Sequence, residues 1–97
     1  MRIIAVRTLR EFWQRHPDAE QSLRAWYTNV KHAAWKSSAD VKVSYRNASI
    51  LSAKRVVFDI KGNDYRLVVE IDYSYEVIYI RFIGTHRDYD RIDATTI

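Results

Sequence analysis

The chain has 97 residues, of which 47% are hydrophobic and 29% are charged, and it contains no cysteine. This length predicts a single domain over residues 1–97 and is too short for two cores, while the lack of cysteine excludes disulfides, thiolate nucleophiles and cysteine-based metal sites. Sixteen Lys and Arg against twelve Asp and Glu give a net charge of +4, an excess that favours anionic partners.

The first half of the chain predicts a short strand and two helices. We expect the strand at Arg2–Ala5 and the first helix at Arg7–Arg15, where apolar residues recur at helical spacing. Pro17 ends this helix and can begin the next one, because its fixed φ and missing N–H suit a first helical turn. The second helix carries one apolar stripe, formed by Ala19, Leu23, Trp26, Tyr27, Val30 and Ala34. An amphipathic helix of this kind is suited to cover an apolar sheet face.

The stretch Ser37–Ala53 has neither a clean period nor strong breakers. A short helical turn is expected near Asp40. Further along, the pair Tyr45 and Arg46 is polar and aromatic enough to contact RNA, which makes Arg46 a candidate RNA-binding residue. The alternative is a loop that is merely anchored by its tyrosine.

The second half predicts a three-stranded antiparallel meander with strands at Lys54–Lys61, Tyr65–Asp72 and Val77–Ile83. Alternation places one apolar row on each strand, and these rows comprise Val56, Phe58, Ile60, Tyr65, Leu67, Val69, Ile71, Ile78, Ile80 and Phe82. The opposite face carries three cations, Lys61, Arg66 and Arg81. A register slip of one residue would bury these cations, so the apolar pattern specifies which side chains share the polar face.

Together these elements predict an α+β fold, in which two N-terminal helices pack on one face of a small antiparallel sheet. The sheet consists of the C-terminal meander and the N-terminal strand at its edge. The other face is a shallow basic concavity, beside which the segment His86–Arg91 lies. A plainer interpretation of the same cations is a solvated face, on which Arg66 and Arg81 form ion pairs with nearby carboxylates.

Three pieces of the second half resemble a known family. They are Arg55–Asn63 with Tyr65–Leu67 after it, Tyr79–Gly84, and Thr85–Asp90. In order and spacing they are similar to the HigB-type messenger-RNA interferases, which are toxins of bacterial type II toxin–antitoxin pairs with the RelE-like fold. The helical first half is similar in length and general character only.

Two residues depart from the family pattern. Asp64 stands where a basic residue is more typical, and Asp88 stands where glutamate is expected. The first departure bears on how strongly the hairpin tip holds phosphate.

The resemblance implies an endoribonuclease that cleaves messenger RNA, usually on the translating ribosome, without a metal ion or cofactor. RNA carries its own nucleophile in the 2′-hydroxyl, so the enzyme needs only to align it, move protons and stabilise the charge that develops on the phosphate. The implied partners are messenger RNA, the ribosome and a helix-turn-helix, HigA-like antitoxin that covers the active surface.

The resemblance also implies roles for individual residues. Lys61, Arg66 and Arg81 are expected to bind the scissile phosphate and stabilise its charge. His86 is the candidate for proton transfer, because an imidazole gives and takes protons near neutral pH. Tyr89 is expected to stack on a base or hydrogen-bond the phosphate. The expected RNA-binding residues are Asn63, Arg55, Arg87 and Arg46.

Two other functions fit the same basic face. One is a non-catalytic RNA-binding or translation-regulating module, which needs no proton donor or acceptor, so that His86 separates it from the enzyme. The other is an interaction domain whose groove captures an acidic partner helix. His16 and His32 lie on the helical scaffold, so a three-histidine metal centre is not expected.

The sequence predicts a cytoplasmic protein without a membrane partner. No apolar run approaches the roughly 20 residues of a membrane span. The start Met1–Ile4 is too short for a signal peptide.

Overall fold

The computed structural model describes residues 1–97 and contains five strands and four α-helices. The elements are β1 Arg2–Ile4, α1 Val6–Arg15, a 3-10 turn Pro17–Ala19, α2 Glu20–Lys31, α3 Ser38–Ser44, β2 Ser49–Ile50, β3 Arg55–Ile60, β4 Tyr65–Asp72, β5 Val77–Thr85 and α4 His86–Asp90. The predicted helical turn near Asp40 is the helix α3. The strands of the meander and the two long helices lie where the apolar periodicity predicts them.

The strands form one sheet in the order β1-β5-β4-β3-β2. The antiparallel meander of β3, β4 and β5 and the edge position of β1 confirm the prediction. However, β1 pairs in parallel with β5, so the sheet is mixed rather than purely antiparallel. Parallel pairing requires a long crossover, which the helices between β1 and β5 supply. The two-residue strand β2, which extends the opposite edge, has too little pattern to be predicted.

The main core lies between α1, α2 and one face of the sheet. Leu9, Leu23 and Val30 are fully buried beneath the helices. On the sheet side, Phe58 is 1% exposed, and its ring lies 5.5 Å from the ring of Trp26. Each such side chain stabilises the fold by roughly 1.5–3 kcal/mol relative to an exposed position. The α+β class, with the two N-terminal helices on one face of the sheet, is therefore confirmed.

A β-bulge in β5 changes which side chains face the helices. Val68 pairs with Phe82, but the next residue, Val69, pairs with Ile80, so that Arg81 is an extra residue on β5. Beyond the bulge the alternation is inverted. Phe82 therefore lies on the face away from the helices, and Ile83 packs against the main core. The prediction that Phe82 belongs to the apolar row facing the helices was wrong.

The face away from the helices, which we call the open face, is partly covered by the end of the chain. Val57 and Val68 on this face are buried together with Ala94. Partly buried apolar side chains complete this second cluster, namely Leu51, Phe82, Tyr89 and Ile92. The end of the chain therefore buries an apolar cluster on the open face. None of the helices combines the length and apolar composition needed to cross a membrane.

Candidate active site

An ion pair between β3 and β4 forms the base of the site on the open face. The strand register places Asp59 directly opposite Arg66, and Asp59 Oδ1 lies 3.0 Å from Arg66 Nη1. The two side chains are only 26% and 17% exposed, respectively. Arg66 also donates to the main-chain oxygen of Asn63 at 3.4 Å. The guanidinium is thus held from two sides beside the hairpin and retains further N–H donors for a ligand.

His86 reaches the same carbonyl from β5. Its Nε2 is hydrogen-bonded to the main-chain oxygen of Asn63. Because a carbonyl oxygen only accepts, this hydrogen bond requires a proton on Nε2. The bulge at Arg81 is what makes this contact available, since uninterrupted alternation would direct residue 86 toward the helices. Arg66 and His86 therefore present two N–H groups to one acceptor.

Gly84 allows the short helix α4, which begins at His86, to lie close to the sheet. Gly84 is directly opposite Arg66 in the β4–β5 register. A Cβ built at this position would lie 2.6 Å from Cζ of Phe82 and 3.1 Å from Cβ of Asp88. The missing side chain thus makes room for the phenyl ring and for the first turn of α4. That turn begins with a cap, in which Thr85 Oγ1 accepts from the N–H of Asp88 at 3.2 Å.

Tyr89 and Arg87 lie at the rim of the site on α4. Tyr89 follows His86 by three residues and therefore lies on a neighbouring part of the helix surface. Its ring is half-buried against the cluster of Val57 and Val68. Arg87 is exposed and forms no ion pair.

Lys61 is directed away from this site. It has a positive φ of 52° in the hairpin, which breaks the strand alternation, so it does not share the open face with Arg66 as predicted. Its ammonium contacts Asp18 Oδ2 at 2.9 Å, and the hydroxyl of Tyr65 donates to Asp18 Oδ1 at 2.6 Å. These two hydrogen bonds lower the pKa of Asp18, and the bond to Asp18 raises the pKa of Lys61. Lys61 is therefore a protonated structural group on the helix side of the hairpin.

Arg81 and Arg55 form a second ionic cluster around Glu70. Oε1 of Glu70 lies 3.1 Å from Arg81 Nη2 and 3.2 Å from Arg55 Nη2. Arg55 is further held by main-chain oxygens of Ala94 and Ile97. Because Glu70 is four residues from Arg66 on β4, this cluster is about 13 Å along the strand from the Arg66 site. The predicted phosphate ligands thus fall into separate groups.

The remaining predicted residues lie close to the hairpin. The side chain of Asn63 is exposed at the tip, while its carbonyl joins Arg66 and His86. Arg46 is exposed on the loop between α3 and β2 and forms no ion pair. No three side chains of the His, Asp or Glu types come close enough together to hold a metal ion.

Two contributors to the site were not among the predicted site residues. Asp59 orients Arg66. If the hairpin is closed by the pair Ile60 and Tyr65, the next pair along the strands is Asp59 and Arg66, so the strand register would have indicated this contact. Gly84 has no local signal in the sequence, because its role depends on the position of Phe82 after the bulge.

Residues 19–92 match the HigB toxin family, described as the RelE-like toxic component of a toxin–antitoxin system. The chain belongs to this family. This match confirms the resemblance found in the second half of the sequence. As a toxin of a toxin–antitoxin system, the protein has an antitoxin as its partner.

Named relatives cover nearly the whole chain. "mRNA interferase toxin HigB" of Escherichia coli strain K12 is 27% identical over 97 aligned positions, and the alignment covers 97% of this chain and 92% of the relative. "mRNA interferase HigB" of Shigella flexneri gives the same values. "mRNA interferase HigB" of Escherichia coli O6:H1 is 20% identical over 94 aligned positions, and the alignment covers 95% of this chain and 91% of the relative. This HigB-family chain is thus similar to these interferases over nearly its full length.

Proposed function

We propose that this HigB-family toxin is an endoribonuclease that cleaves messenger RNA on the translating ribosome, and that the whole chain acts as one toxin unit. The observation that carries the proposal is the convergence of Arg66 and His86 on the carbonyl of Asn63, on the open face beside the β3–β4 hairpin. Two N–H donors, one from a fixed cation and one from an imidazole, suit a phosphodiester that is bound and then protonated. The names of the relatives support messenger RNA as the substrate.

In this mechanism a phosphate oxygen of the RNA replaces the carbonyl of Asn63 as the acceptor. Arg66 binds the scissile phosphate and stabilises its charge as the 2′-oxygen forms a bond to phosphorus. The bond from phosphorus to the 5′-oxygen then breaks. The 2′-hydroxyl proton leaves to solvent water, and His86 in its imidazolium form donates the Nε2 proton to the departing 5′-oxygen.

Other residues act around this step. Tyr89 stacks on a neighbouring base, and Arg87 contacts the RNA backbone from the rim of α4. Asp59 is a positioning residue, because its carboxylate holds the guanidinium of Arg66 at 3.0 Å. Arg55, Arg81 and Lys61 add long-range positive charge but remain in their ion pairs.

The ends of the RNA fragments test this chemistry. Attack by the 2′-hydroxyl leaves a 2′,3′-cyclic phosphate on one fragment and a 5′-hydroxyl on the other. We expect these ends when the toxin is induced in a bacterial host and cleaved transcripts are recovered. Growth at the normal rate with soluble, folded toxin and intact transcripts would refute the proposed function.

We further propose that the chemical step needs no metal ion, because the attacking group and the groups that assist it belong to RNA and to the chain. Cleavage of excess free RNA should continue in EDTA. Free RNA is the necessary substrate here, since chelation also disassembles ribosomes. A strict requirement for magnesium at the cleavage step would overturn this mechanism.

The proposed antitoxin partner is a helix-turn-helix, HigA-like protein that covers the open face in the cytoplasm. An uncovered basic surface with ribonuclease activity is harmful to the host, so neutralisation requires occlusion or distortion of that surface. Co-expression of the neighbouring small helix-turn-helix gene should restore growth and yield a stable complex. If no product of a neighbouring gene binds the toxin, this assignment is refuted.

A non-catalytic RNA-binding module is the competing function. The observation that favours it is that Arg66, Arg81 and Arg55 all form ion pairs with Asp59 or Glu70, as on an ordinary solvated sheet. Such a module would slow translation and leave transcripts intact. The mapping of transcript ends therefore separates the two functions.

A further inference from the structure

A cleft of about 380 Å³ lies beside the Arg66 site, at the outer edge of β3. Its lining includes Arg46 and Asn47 from the loop between α3 and β2, and Asp59 and Gly62 from β3 and the hairpin. Asp59 is the wall that the cleft shares with the Arg66 site, because its carboxylate binds Arg66. The volume lies within the roughly 300–1,000 Å³ that small-molecule sites occupy.

The edge of β3 presents an unused main-chain donor and acceptor to this cleft. The carbonyl of Lys54 accepts a hydrogen bond from the N–H of Ile71 on β4. In an antiparallel pair, alternate residues of a strand bond to the same neighbouring strand. Every second residue after Lys54 therefore bonds to β4, and the residues between them face β2. However, β2 begins at Ser49, opposite Val57, and therefore does not extend along β3 toward the hairpin. The N–H and C=O of Asp59, the next residue that faces outward, therefore have no strand partner.

The loop that forms the other wall is held in one shape. The ammonium of Lys42 donates to the main-chain oxygens of Arg46 at 2.7 Å and of Ala48 at 2.8 Å. The ring of Tyr45 packs edge-on against Phe58, with 5.1 Å between the ring centroids. The cleft is thus formed in advance by contacts that leave the side chains of residues 46 and 47 free.

Those two side chains carry hydrogen-bonding groups that have no partner in the chain. Arg46 and Asn47 are both exposed, and neither side chain takes part in an ion pair or in a hydrogen bond. A guanidinium plane stacks on an unpaired base, and an asparagine amide pairs with a base edge through one donor and one acceptor. The fixed N–H and C=O of Asp59 add a second donor and acceptor pair.

We propose that this cleft binds the unpaired nucleobase next to the scissile phosphate and sets the base preference of cleavage. Arg46 stacks on the base, and Asn47 with the main chain of Asp59 reads its hydrogen-bonding edge. Lys42 is a positioning residue that fixes the loop. The inference rests on the proposed ribonuclease function, for which the Arg66 site holds the phosphate.

An added partner strand is a weaker occupant of the same cleft. Strand addition draws its affinity from a row of main-chain hydrogen bonds, whereas here only the outward pair of Asp59 is open between the end of β2 and the hairpin. The free cation and amide of the loop suit a base better than they suit a polypeptide backbone.

The test compares Arg46→Ala and Asn47→Ala with the control Arg10→Ala. Arg10 is also an exposed arginine without an ion pair, but it lines a separate groove between α1 and α2. Each protein is induced briefly, cleaved transcripts are sequenced from their ends, and the base composition around the cut is counted. Circular dichroism melts establish that each variant is folded, and Asn47→Gln serves as a second variant at that position.

We expect wild type and Arg10→Ala to share one base preference, and Asn47→Ala to lose about tenfold or more of that discrimination, as expected for one bidentate base contact. Arg46→Ala should lower cleavage at all sites and weaken the preference. An unchanged preference in both cleft variants would overturn the inference, as would equal loss in Arg10→Ala. Loss of antitoxin binding with retained base preference would instead identify a protein-docking cleft and refute the RNA assignment. If wild type leaves RNA intact, the proposed function itself fails.

Discussion

Removal of the Arg66 side chain should affect cleavage and stability through separable causes. Arg66→Ala deletes the donor that stabilises charge on the scissile phosphate, so we expect cleavage to fall by about 10²–10³-fold. It also leaves Asp59, whose side chain is 26% exposed, without its cation on a partly covered face. The resulting loss in the free energy of unfolding lies between the value for an exposed ion pair, about 0.2–1 kcal/mol, and the value for a broken buried pair, about 3–5 kcal/mol.

A stability loss of about 1–2 kcal/mol corresponds to a fall in melting temperature of roughly 5–15 °C for a chain of this size. The double variant Asp59→Asn with Arg66→Ala removes the unpaired carboxylate as well. It should regain most of the melting temperature but none of the cleavage. Thermal denaturation by circular dichroism and cleavage of a reporter messenger RNA in a translating extract measure the two effects. Recovery of cleavage in the double variant would refute the catalytic role of Arg66.

His86→Ala should reduce cleavage by about 10²-fold or more while RNA affinity and its salt dependence stay close to wild type, because it removes proton transfer rather than a fixed charge; normal cleavage would contradict the assignment. Leu67→Ala should lower the free energy of unfolding by about 2–5 kcal/mol, measured by urea denaturation, because Leu67 is fully buried and its loss leaves a cavity. The pKa of Asp18 is lowered from 3.8 by its hydrogen bonds from Tyr65 and Lys61, so its stabilising contribution is complete above that value and is lost as the pH falls through the lower folded pKa. Asp18→Asn should therefore be less stable than wild type at neutral pH and should differ less from it in acid; a constant difference across denaturation curves at several pH values would contradict this.

Most of the fold could be predicted because the signals are local. The apolar periodicity of α2 and the alternation along β4 lie within single elements, and burial of one face determines them. The edge strand β1 was also predictable in position. Its parallel direction was not, because strand direction depends on where the crossover through the helices returns the chain.

The arrangement of the site depends on contacts that no local pattern contains. The bulge at Arg81 arises from the pairing of two whole strands, and it moves His86 onto the face of Arg66. The direction of Lys61 follows from a positive φ in a tight turn. The charged residues could therefore be recognised from the sequence. Which of them contacts the Asn63 carbonyl, which contacts Asp18 and which contacts Glu70 could be learned only from the three-dimensional structure.

The close approach at Gly84 has a genetic consequence. Expression of this toxin alone selects for mutations that abolish its effect. A Cβ at residue 84 would lie 2.6 Å from Cζ of Phe82 and 3.1 Å from Cβ of Asp88, so the phenyl ring and the first turn of α4, which begins at His86, would have to shift. Among colonies that survive induction, we therefore expect missense alleles of Gly84 that accumulate as full-length protein, although glycine has no side chain that could contact RNA.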